Sequence, residues 1–341
     1  MKFGIGLPSI GMMLGGIKDD IEAYEMMTCV AQTADECGYE TVWLSDHFHY
    51  GGFGPVSMPP SQDLMFECWT STAALARDTK RVRIAQSVTC NGYRNPALLA
   101  KMASTVDVLS HGRLTLGIGA GDFEQEFRAY GYACPPAPER LRQLREALQI
   151  ILALWTEDVA TFEGTYYQVR GAINQPKGVQ HPHIPLLIGG TGEKVTLKLV
   201  AQYGDACEVP LGDTAWRSSE PGLGATPPNR GEGTHLALIE HKYAVLKQHC
   251  EAVGRDYQNI HRIAAAICVI GDTDEEARDM MPEAFKTQFA DVIESGLIGS
   301  PETIRKRIAA YDAVGVQEMR LAFPDAVNLE LIRRFAKEFI A

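Results

Sequence analysis

The sequence lacks any long apolar run. No segment approaches the ~20 consecutive apolar residues that a membrane-spanning helix requires. The first apolar segment is interrupted by Gly4, Gly6, Pro8 and Gly11, so it is a poor match to a signal peptide. From these two absences we expect a cytoplasmic protein without membrane contacts.

Positive charge is also scarce. The 341 residues include 32 Lys and Arg against 43 Asp and Glu, which gives a net charge of −11. Phosphate backbones and anionic lipids repel such a protein, so this balance argues against general nucleic-acid or membrane-surface binding. A local basic pocket around a small ligand is still compatible with it.

Paired cysteines are missing as well. The sequence contains no C-x-x-C pair and no zinc-finger spacing. In a chain without a signal peptide, scattered thiols are expected to be small buried side chains rather than disulfides. The eight cysteines stand at positions 29, 37, 68, 90, 134, 207, 250 and 268.

Short apolar segments alternate with helical patterns along the chain. Apolar residues make up 45% and charged residues 22%, as is usual for a globular protein. The alternation predicts a single-domain (β/α)8 TIM barrel over 1–341, with a doubly wound sheet as the alternative. The predicted core strands are 3–7, 41–44, 82–88, 114–119, 185–188, 205–209, 262–270 and 318–323.

Two segments interrupt this alternation. Residues 159–169 alternate in polarity around Glu163 and Gly164, which predicts a small antiparallel hairpin outside the barrel. Residues 212–234 are rich in Gly, Pro and Ser and are predicted to form a long loop, as a lid or an interface arm.

The second predicted strand is followed by Asp46 and His47. In a barrel the carboxyl ends of the strands hold the chemistry, and a carboxylate beside an imidazole can orient it for proton transfer near neutral pH. Asp46 and His47 are therefore the predicted catalytic residues; the alternative is a turn-capping Asp and a packed His. His47 and His49 also form an H-x-H pair, but later strand ends offer no further ligands, so no metal is predicted.

Glycines and small polar residues follow the third, fourth and fifth strands. The small polar residues after the third strand could line a ligand cavity or could form hydrogen bonds within a turn. The glycines at 117, 119 and 121 miss the dinucleotide spacing and would instead allow a flat ligand to approach the backbone. Residues 189–193 precede a helix predicted to start near Glu193, which favours a phosphate site over an ordinary turn.

Several motifs together resemble the bacterial-luciferase-like superfamily, and within it the deazaflavin (coenzyme F420)-dependent oxidoreductases. The resemblance covers nearly the whole chain. The motifs are FGIGLP (3–8), WLSDHF (43–48), YRNPA (93–97), LSHGR (109–113), LGIGAG (116–121) and IGGTG (188–192), extended by APERLR (137–142), FEGTY (162–166) and HCEAVGR (249–255).

The resemblance implies a barrel, commonly a homodimer, that binds F420 or, in sister branches, FMN at the mouth. It implies that His47, matched with Asp46, lies near the reactive carbon as base or proton donor. It also implies a bulge at Ser87 and Val88 behind the cofactor ring, often with a non-prolyl cis peptide. The implied cofactor contacts are Ser87, Val88, Thr89, Asn91, Ala120, Gly121, Asp122, Gly189, Gly190, Thr191, Gly192 and Glu193.

Two residues depart from the family pattern near the expected site. Asp122 stands where relatives often have Trp or Glu, and Glu208 where they often have Asn. The substrate therefore cannot be carried over. We expect hydride transfer between F420 and a small imine, activated alkene or alcohol. The alternatives are an FMN-dependent monooxygenase, a cofactor-binding protein without turnover and, weakened by its missing ligands, a metal-dependent hydrolase.

Overall fold

A computed structural model describes residues 1–9, 13–49, 62–210, 232–282 and 295–340, together with Lys286 and Ile293. The strands in chain order are β1 Lys2–Gly6, β2 Thr41–Leu44, β3 Arg83–Gln86, β4 Thr89–Cys90, β5 Leu114–Gly119, β6 Ala160–Glu163, β7 Gln168–Ala172, β8 Leu186–Gly189, β9 Ala206–Val209, β10 His261–Ile270, β11 Leu297–Gly299 and β12 Glu318–Ala322. The helices are α1 Asp20–Cys37, α2 Cys68–Asp78, α3 Pro96–Leu109, α4 Glu124–Ala129, α5 Ala137–Thr156, α6 Thr196–Tyr203, α7 Glu232–Val253, α8 Asp274–Asp279, α9 Pro301–Ala313 and α10 Leu329–Phe339.

Eight parallel strands close into a barrel in the order β1, β2, β3, β5, β8, β9, β10, β12. Ile5 of β1 pairs with Val42 of β2 on one side and with Leu321 of β12 on the other, which completes the circle. The predicted (β/α)8 barrel is confirmed, and the doubly wound sheet is wrong. The short strands β4 and β11 add to the barrel by pairing with β5 and β10.

Helix boundaries follow local capping signals. Asp19 caps α1 by accepting hydrogen bonds from the N–H groups of Ile21 and Glu22, and Gly38 ends the helix at φ 81°. The inward faces of the helices pack on the outer face of the barrel. In α3, for example, Leu99 is fully buried, whereas its neighbour Leu98 is exposed.

The inside of the barrel is filled below its mouth. Trp43, Ala85, Leu187, Ala206 and Ile263 form a buried cluster of their own, separate from the core under the helices. Glycine at position 4 leaves room for the indole, because a Cβ there would overlap Trp43 Nε1. Because these side chains fill the interior, a ligand can bind only at the carboxyl end of the strands.

The two predicted insertions fare differently. β6 and β7 pair antiparallel in a separate sheet, which confirms the hairpin. Its turn is fixed to α5 because the Glu146 carboxylate accepts hydrogen bonds from three successive backbone N–H groups, those of residues 165–167. Of the predicted loop, residues 212–231 lie outside the described residues, and 232–234 belong to α7. Within the described residues no helix has both the length and the apolarity to cross a bilayer.

Candidate active site at the carboxyl mouth of the barrel

A histidine–glutamate pair lies at the mouth, just beyond the end of β2. His47 Nδ1 donates a hydrogen bond of 2.8 Å to Glu126 Oε2 in α4. The His47 side chain is 30% exposed, whereas that of Glu126 is fully buried. Because a carboxylate only accepts hydrogen bonds, Nδ1 carries a proton. Nε2 is then the nitrogen that can give or take a proton.

Glu126 is itself held firmly. Its Oε1 accepts hydrogen bonds from the N–H groups of Phe48 and His49 at 2.7 and 3.2 Å, and its Oε2 also accepts one from the Tyr93 hydroxyl at 2.7 Å. Burial by itself raises the pKa of Glu126, but these hydrogen bonds and the charge of His47 outweigh it, so the pKa is lowered. The carboxylate therefore stays ionised beside the imidazole.

The charge around His47 favours its protonated form. Burial lowers the pKa of His47, but the hydrogen bond to Glu126 and the negative charges of Glu126, Asp122 and Asp46 together outweigh burial, so the pKa is raised. An imidazole with a raised pKa is a ready proton donor near neutral pH.

Asp46 does not hold the imidazole, which corrects the prediction made for it. Its Oδ2 accepts hydrogen bonds from Arg94 Nη1 at 2.6 Å and from the N–H of Cys90 at 3.0 Å, and its Oδ1 accepts one from Arg94 Nη2 at 3.0 Å. Arg94 continues to Glu67 Oε1 at 2.5 Å. Neighbouring side chains on an extended segment project to different sides, so Asp46 turns away from His47 and ties β2 to β4.

Glu126, Tyr93 and Arg94 are site residues that the sequence analysis missed. Tyr93 and Arg94 belong to the YRNPA motif (93–97), whose pattern alone does not indicate that they bind carboxylates. The signal for Glu126 is weak: it is an acid between Phe123 and Phe127 in a short helix. An acid flanked by two aromatic residues is a candidate for burial, and a buried acid needs a partner.

The third strand leaves the barrel through a bulge. The Ser87–Val88 peptide bond is cis, as the resemblance implies, and both residues are partly exposed at the mouth. A Cβ at Gly119 or Gly189 would come within 2.8 Å of a Val88 methyl group. A Cβ at Gly117 would overlap the Gln86 carbonyl oxygen. Gly117 and Gly119 thus accommodate this bulge, rather than the ligand that was predicted to approach them.

The two predicted polar contacts after the bulge are buried. Thr89 is fully buried, and its Oγ1 accepts a hydrogen bond of 3.0 Å from Trp69 Nε1, so its side chain is turned away from the mouth. Asn91 Nδ2 donates to the Tyr167 hydroxyl at 3.1 Å. Asn91 Oδ1 has no hydrogen-bond partner among the described residues, so Asn91 stays a predicted ligand contact.

The segment after β5 brings Ala120, Gly121 and Asp122 to the same mouth. Ala120 and Gly121 are partly exposed, and Asp122 is exposed. Gly121 has φ 75°, and its carbonyl accepts a hydrogen bond of 3.0 Å from Arg140 Nε, which fixes the direction of the chain. The three residues therefore lie at the carboxyl mouth, and their contact with a cofactor stays a prediction.

The glycine-rich turn after β8 offers exposed backbone at the start of a helix. Gly190 is exposed with φ 104°. α6 begins at Thr196, three residues later than predicted, and no side chain of the described residues caps it. A Cβ at Gly192 would lie 2.9 Å from Thr196 Oγ1, so the turn fits closely over the helix. Such a helix end favours an anion.

Glu193 has a different role from the predicted cofactor contact. Its Oε1 accepts hydrogen bonds from Lys242 Nζ at 2.7 Å and from His241 Nε2 at 3.2 Å, both in α7. His249 Nε2 donates to the Glu193 carbonyl at 2.7 Å. The bond to Lys242 lowers the pKa of Glu193. A carboxylate fixed in this way attaches the turn to α7 and would repel a phosphate.

The histidines of the H-x-H pair do not form a metal centre with other residues of the described ranges. In those ranges, no group of three His, Cys, Asp or Glu side chains could hold a metal ion. His47 is engaged by Glu126, and the His49 N–H is bound to the same carboxylate.

A closed parallel barrel with a histidine–glutamate pair, a bulged third strand and a glycine turn at one mouth is the arrangement of a barrel enzyme whose site lies at the carboxyl ends of the strands. The chain belongs to the luciferase-like monooxygenase family, whose sequence pattern matches residues 1–213.

Curated relatives cover the chain to different extents. The chain is similar to the F420-dependent glucose-6-phosphate dehydrogenase of Amycolatopsis mediterranei (strain U-32), with 35% identity over 180 residues, 51% of this chain and 50% of that protein. The match thus spans about half the length of this relative. The enzyme of the same name from Beutenbergia cavernae is 27% identical over 348 residues, 96% of this chain and 97% of that protein.

Solved structures share the whole fold at low identity. The monooxygenase RslO1 from Streptomyces bottropensis superposes with a TM-score of 0.75 at 22% identity, over 100% of this chain and 99% of that one. An F420-dependent secondary alcohol dehydrogenase in complex with an F420-acetone adduct superposes with a TM-score of 0.73 at 18% identity, over 98% and 97%. At these identities the likeness shows the fold alone.

Proposed function

We propose that the protein is an F420-dependent oxidoreductase that transfers a hydride between the deazaflavin and a small organic substrate. The observation that carries the proposal is the His47–Glu126 pair at the barrel mouth, next to the bulge at Ser87 and Val88. The relatives named as F420-dependent support the choice of cofactor. The cytoplasmic location and the homodimer stay part of this proposal.

The residues at the mouth suit a flat cofactor with a phosphate. Backbone N–H groups of the turn at Gly189–Gly192 would hold the phosphate at the uncapped start of α6. The partly exposed Ser87 and Val88 would support one face of the ring, with Ala120–Asp122 at its edge. When bound, the deazaflavin supplies a two-electron hydride donor or acceptor that reacts poorly with oxygen.

His47 supplies the proton that hydride transfer alone does not. Reduction of a double bond needs one hydride and one proton, and the protonated His47 would give that proton from Nε2. In the reverse direction, neutral His47 would accept a proton from the substrate. Glu126 stabilises the imidazolium in both cases and keeps the ring in one orientation through Nδ1.

Cofactor titration tests the proposal directly. We expect the purified protein to bind F420 more tightly than FMN, measured by fluorescence titration under the same conditions. Tighter binding of FMN, with oxygen consumption in the presence of reduced FMN, would support the monooxygenase alternative. Tight binding of F420 without oxidation or reduction of any carbonyl, alkene or imine substrate would support a binding protein without turnover.

A further inference from the structure

Three carboxylates surround the reacting position, and two of them are ion-paired: Glu126 with His47 and Asp46 with Arg94. The carboxylates of Glu126, Asp122 and Asp46 all raise the pKa of His47, so each lies close enough to act on its charge. Asp122 is exposed at the rim, where an incoming substrate would meet it. A phosphate or carboxylate group on the substrate would be repelled there.

The arginines described at this mouth are held by acceptors of the protein itself. Arg94 is bound to Asp46 and Glu67. Arg140 donates to the carbonyls of Gly121 and Pro135. Arg320 is paired with Glu208, whose Oε2 accepts a further hydrogen bond of 2.6 Å from Ser87 Oγ. An anionic substrate would have to compete with these partners.

Aromatic rings extend from His47 outward to the surface. The Phe123 ring lies 5.9 Å from the His47 ring, edge to face, and 5.8 Å from the His49 ring. His49 in turn stacks on Tyr130 at 6.1 Å, with an angle of 12° between the rings. Tyr130 is 52% exposed, and Phe123 is partly exposed. Phe123, His49 and Tyr130 are called the aromatic wall below.

The aromatic wall contains one buried polar atom without a described partner. His49 Nε2 is buried and has no hydrogen-bond partner among the described residues. Rings that are partly exposed beside a proton donor are a common way to bind a planar, uncharged molecule.

We propose that the substrate is a flat, uncharged conjugated carbonyl compound or imine that lies against the aromatic wall, and that sugar phosphates are rejected. This inference rests on the proposed F420 chemistry. Protonated His47 would give its proton to one end of the C=C or C=N bond, and F420, when bound in its reduced form, would supply the hydride for the electrophilic carbon at the other end. One hydride and one proton balance the reaction: the substrate would gain two hydrogens and the cofactor would lose two electrons.

The test compares two probes that differ by one carboxylate. Benzylideneacetone and its 4-carboxy derivative are titrated into the F420-loaded protein, with binding measured by isothermal titration calorimetry, and glucose-6-phosphate is titrated in parallel. We expect the uncharged enone to bind at least ~10-fold more tightly than either anion, since one desolvated like-charge contact is enough for such a ratio.

Variants locate the binding to the wall. Phe123→Ala is expected to weaken binding of the uncharged enone at least ~5-fold, whereas Phe123→Tyr keeps the ring and restores most of the affinity. Val253→Ala, at the end of α7 and at the opposite end of the barrel, serves as a control for an exposed apolar side chain and should leave the affinity unchanged.

The outcomes separate the inference from the function on which it rests. If the protein binds F420 but binds glucose-6-phosphate or the carboxylated enone more tightly, the inference is wrong and the proposed function stands. Equal binding by Phe123→Ala and the unchanged protein would also overturn it. Failure to bind F420 at all would contradict the proposed function, and the inference would fall with it.

Discussion

The barrel carries a histidine–glutamate pair at each end, and the two pairs are almost the same length. At the carboxyl mouth His47 Nδ1 lies 2.8 Å from Glu126 Oε2, and at the amino end His261 Nε2 lies 2.9 Å from Glu318 Oε2. Both histidines are about one-third exposed, and both carboxylates are buried. Residue types, distance and burial therefore do not separate a candidate active site from a structural contact.

What separates the pairs is their surroundings. His261 and Glu318 are the first residues of β10 and β12, where the barrel strands begin. His47 and Glu126 lie on segments that leave β2 and β5, next to the bulge and the aromatic wall. In barrels of this kind the chemistry collects at the carboxyl ends, and the amino ends serve stability. The same two residue types can thus serve catalysis or stability.

The largest expected effect in this comparison is the fall in turnover when His47 is replaced. His47→Ala should lower turnover by at least ~10²-fold with saturating F420, because general acid–base groups contribute ~10²–10⁴-fold. The affinity for F420 should change little. Steady-state kinetics and F420 titration of the same protein measure the two quantities.

A different division of the effect between turnover and F420 affinity would contradict the role of His47. Near-normal turnover at saturation with weakened F420 binding would mean that His47 only packs against the ring. Unchanged rate and affinity would mean that the proton comes from solvent.

The second effect concerns the acceptor of the pair. Glu126→Gln should lower turnover at least ~10-fold, because an amide can present an N–H to Nδ1 and so disfavour the required tautomer. The neutral side chain also removes the charge that raises the pKa of His47. A proton donor is active below its pKa, and its activity is lost as the pH rises through that pKa. The alkaline limb of the pH–rate profile should therefore move to lower pH in the variant.

Asp46→Asn is the matched comparison for Glu126→Gln. Asp46 is bound to Arg94 and Cys90 rather than to His47 and acts on the imidazole only through its charge, so Asp46→Asn should lower turnover less and should move the alkaline limb less than Glu126→Gln does. A larger loss for Asp46→Asn than for Glu126→Gln would show that Asp46 controls the imidazole after all.

These two carboxylates also mark the limit of what the sequence could predict. β2 and β5 have the predicted bounds. Both strands are buried on both faces, and such strands are continuous apolar segments whose ends are clear in the sequence. The partner of His47 is 79 residues away in the chain. Only folding brings it near, and sequence adjacency pointed to Asp46 instead.

Two boundaries were missed for local reasons. The predicted strand 82–88 ends at Gln86, because the chain bulges at Ser87 and Val88 before it pairs again as β4. After the polar Gln86 and Ser87 the apolar Val88 fits a continued strand, so periodicity could not reveal the bulge. α6 starts at Thr196 rather than near Glu193, because residues 193–195 form a wider turn in which the Leu197 N–H donates to the Gly192 carbonyl.

A third effect tests the glycine turn at the mouth against a glycine elsewhere. Gly190 and Gly315 both have strongly positive φ, at 104° and 92°, and a Cβ at either meets only ordinary van der Waals contacts. Alanine should therefore strain both positions to a similar extent. Only Gly190→Ala should weaken F420 binding, by about 10-fold, the scale of one or two hydrogen bonds to a charged group.

Fluorescence titration with F420 and thermal unfolding of both variants provide the measurements. Equal loss of stability with a selective loss of affinity at Gly190 is the expected pattern. If both variants bind F420 as the unchanged protein does, the phosphate is held somewhere other than the 189–192 turn.

The smallest effect on activity is expected at the amino-end pair, where the effect on stability should dominate. His261→Ala removes the hydrogen bond to Glu318 Oε2, and Glu318 Oε1 already lacks a partner among the described residues. A buried carboxylate that loses a partner costs about 1–3 kcal/mol, which should lower Tm by several degrees. Turnover with saturating F420 should stay within about twofold of the unchanged protein, since catalytic groups of such barrels stand at the other end.

Adding Glu318→Gln should recover part of the lost stability, because a buried neutral amide is less costly than an unpaired carboxylate. Thermal unfolding and kinetics of the single and double variants decide the matter: a loss of turnover in His261→Ala comparable to that of His47→Ala would show that position in the barrel does not separate the two pairs.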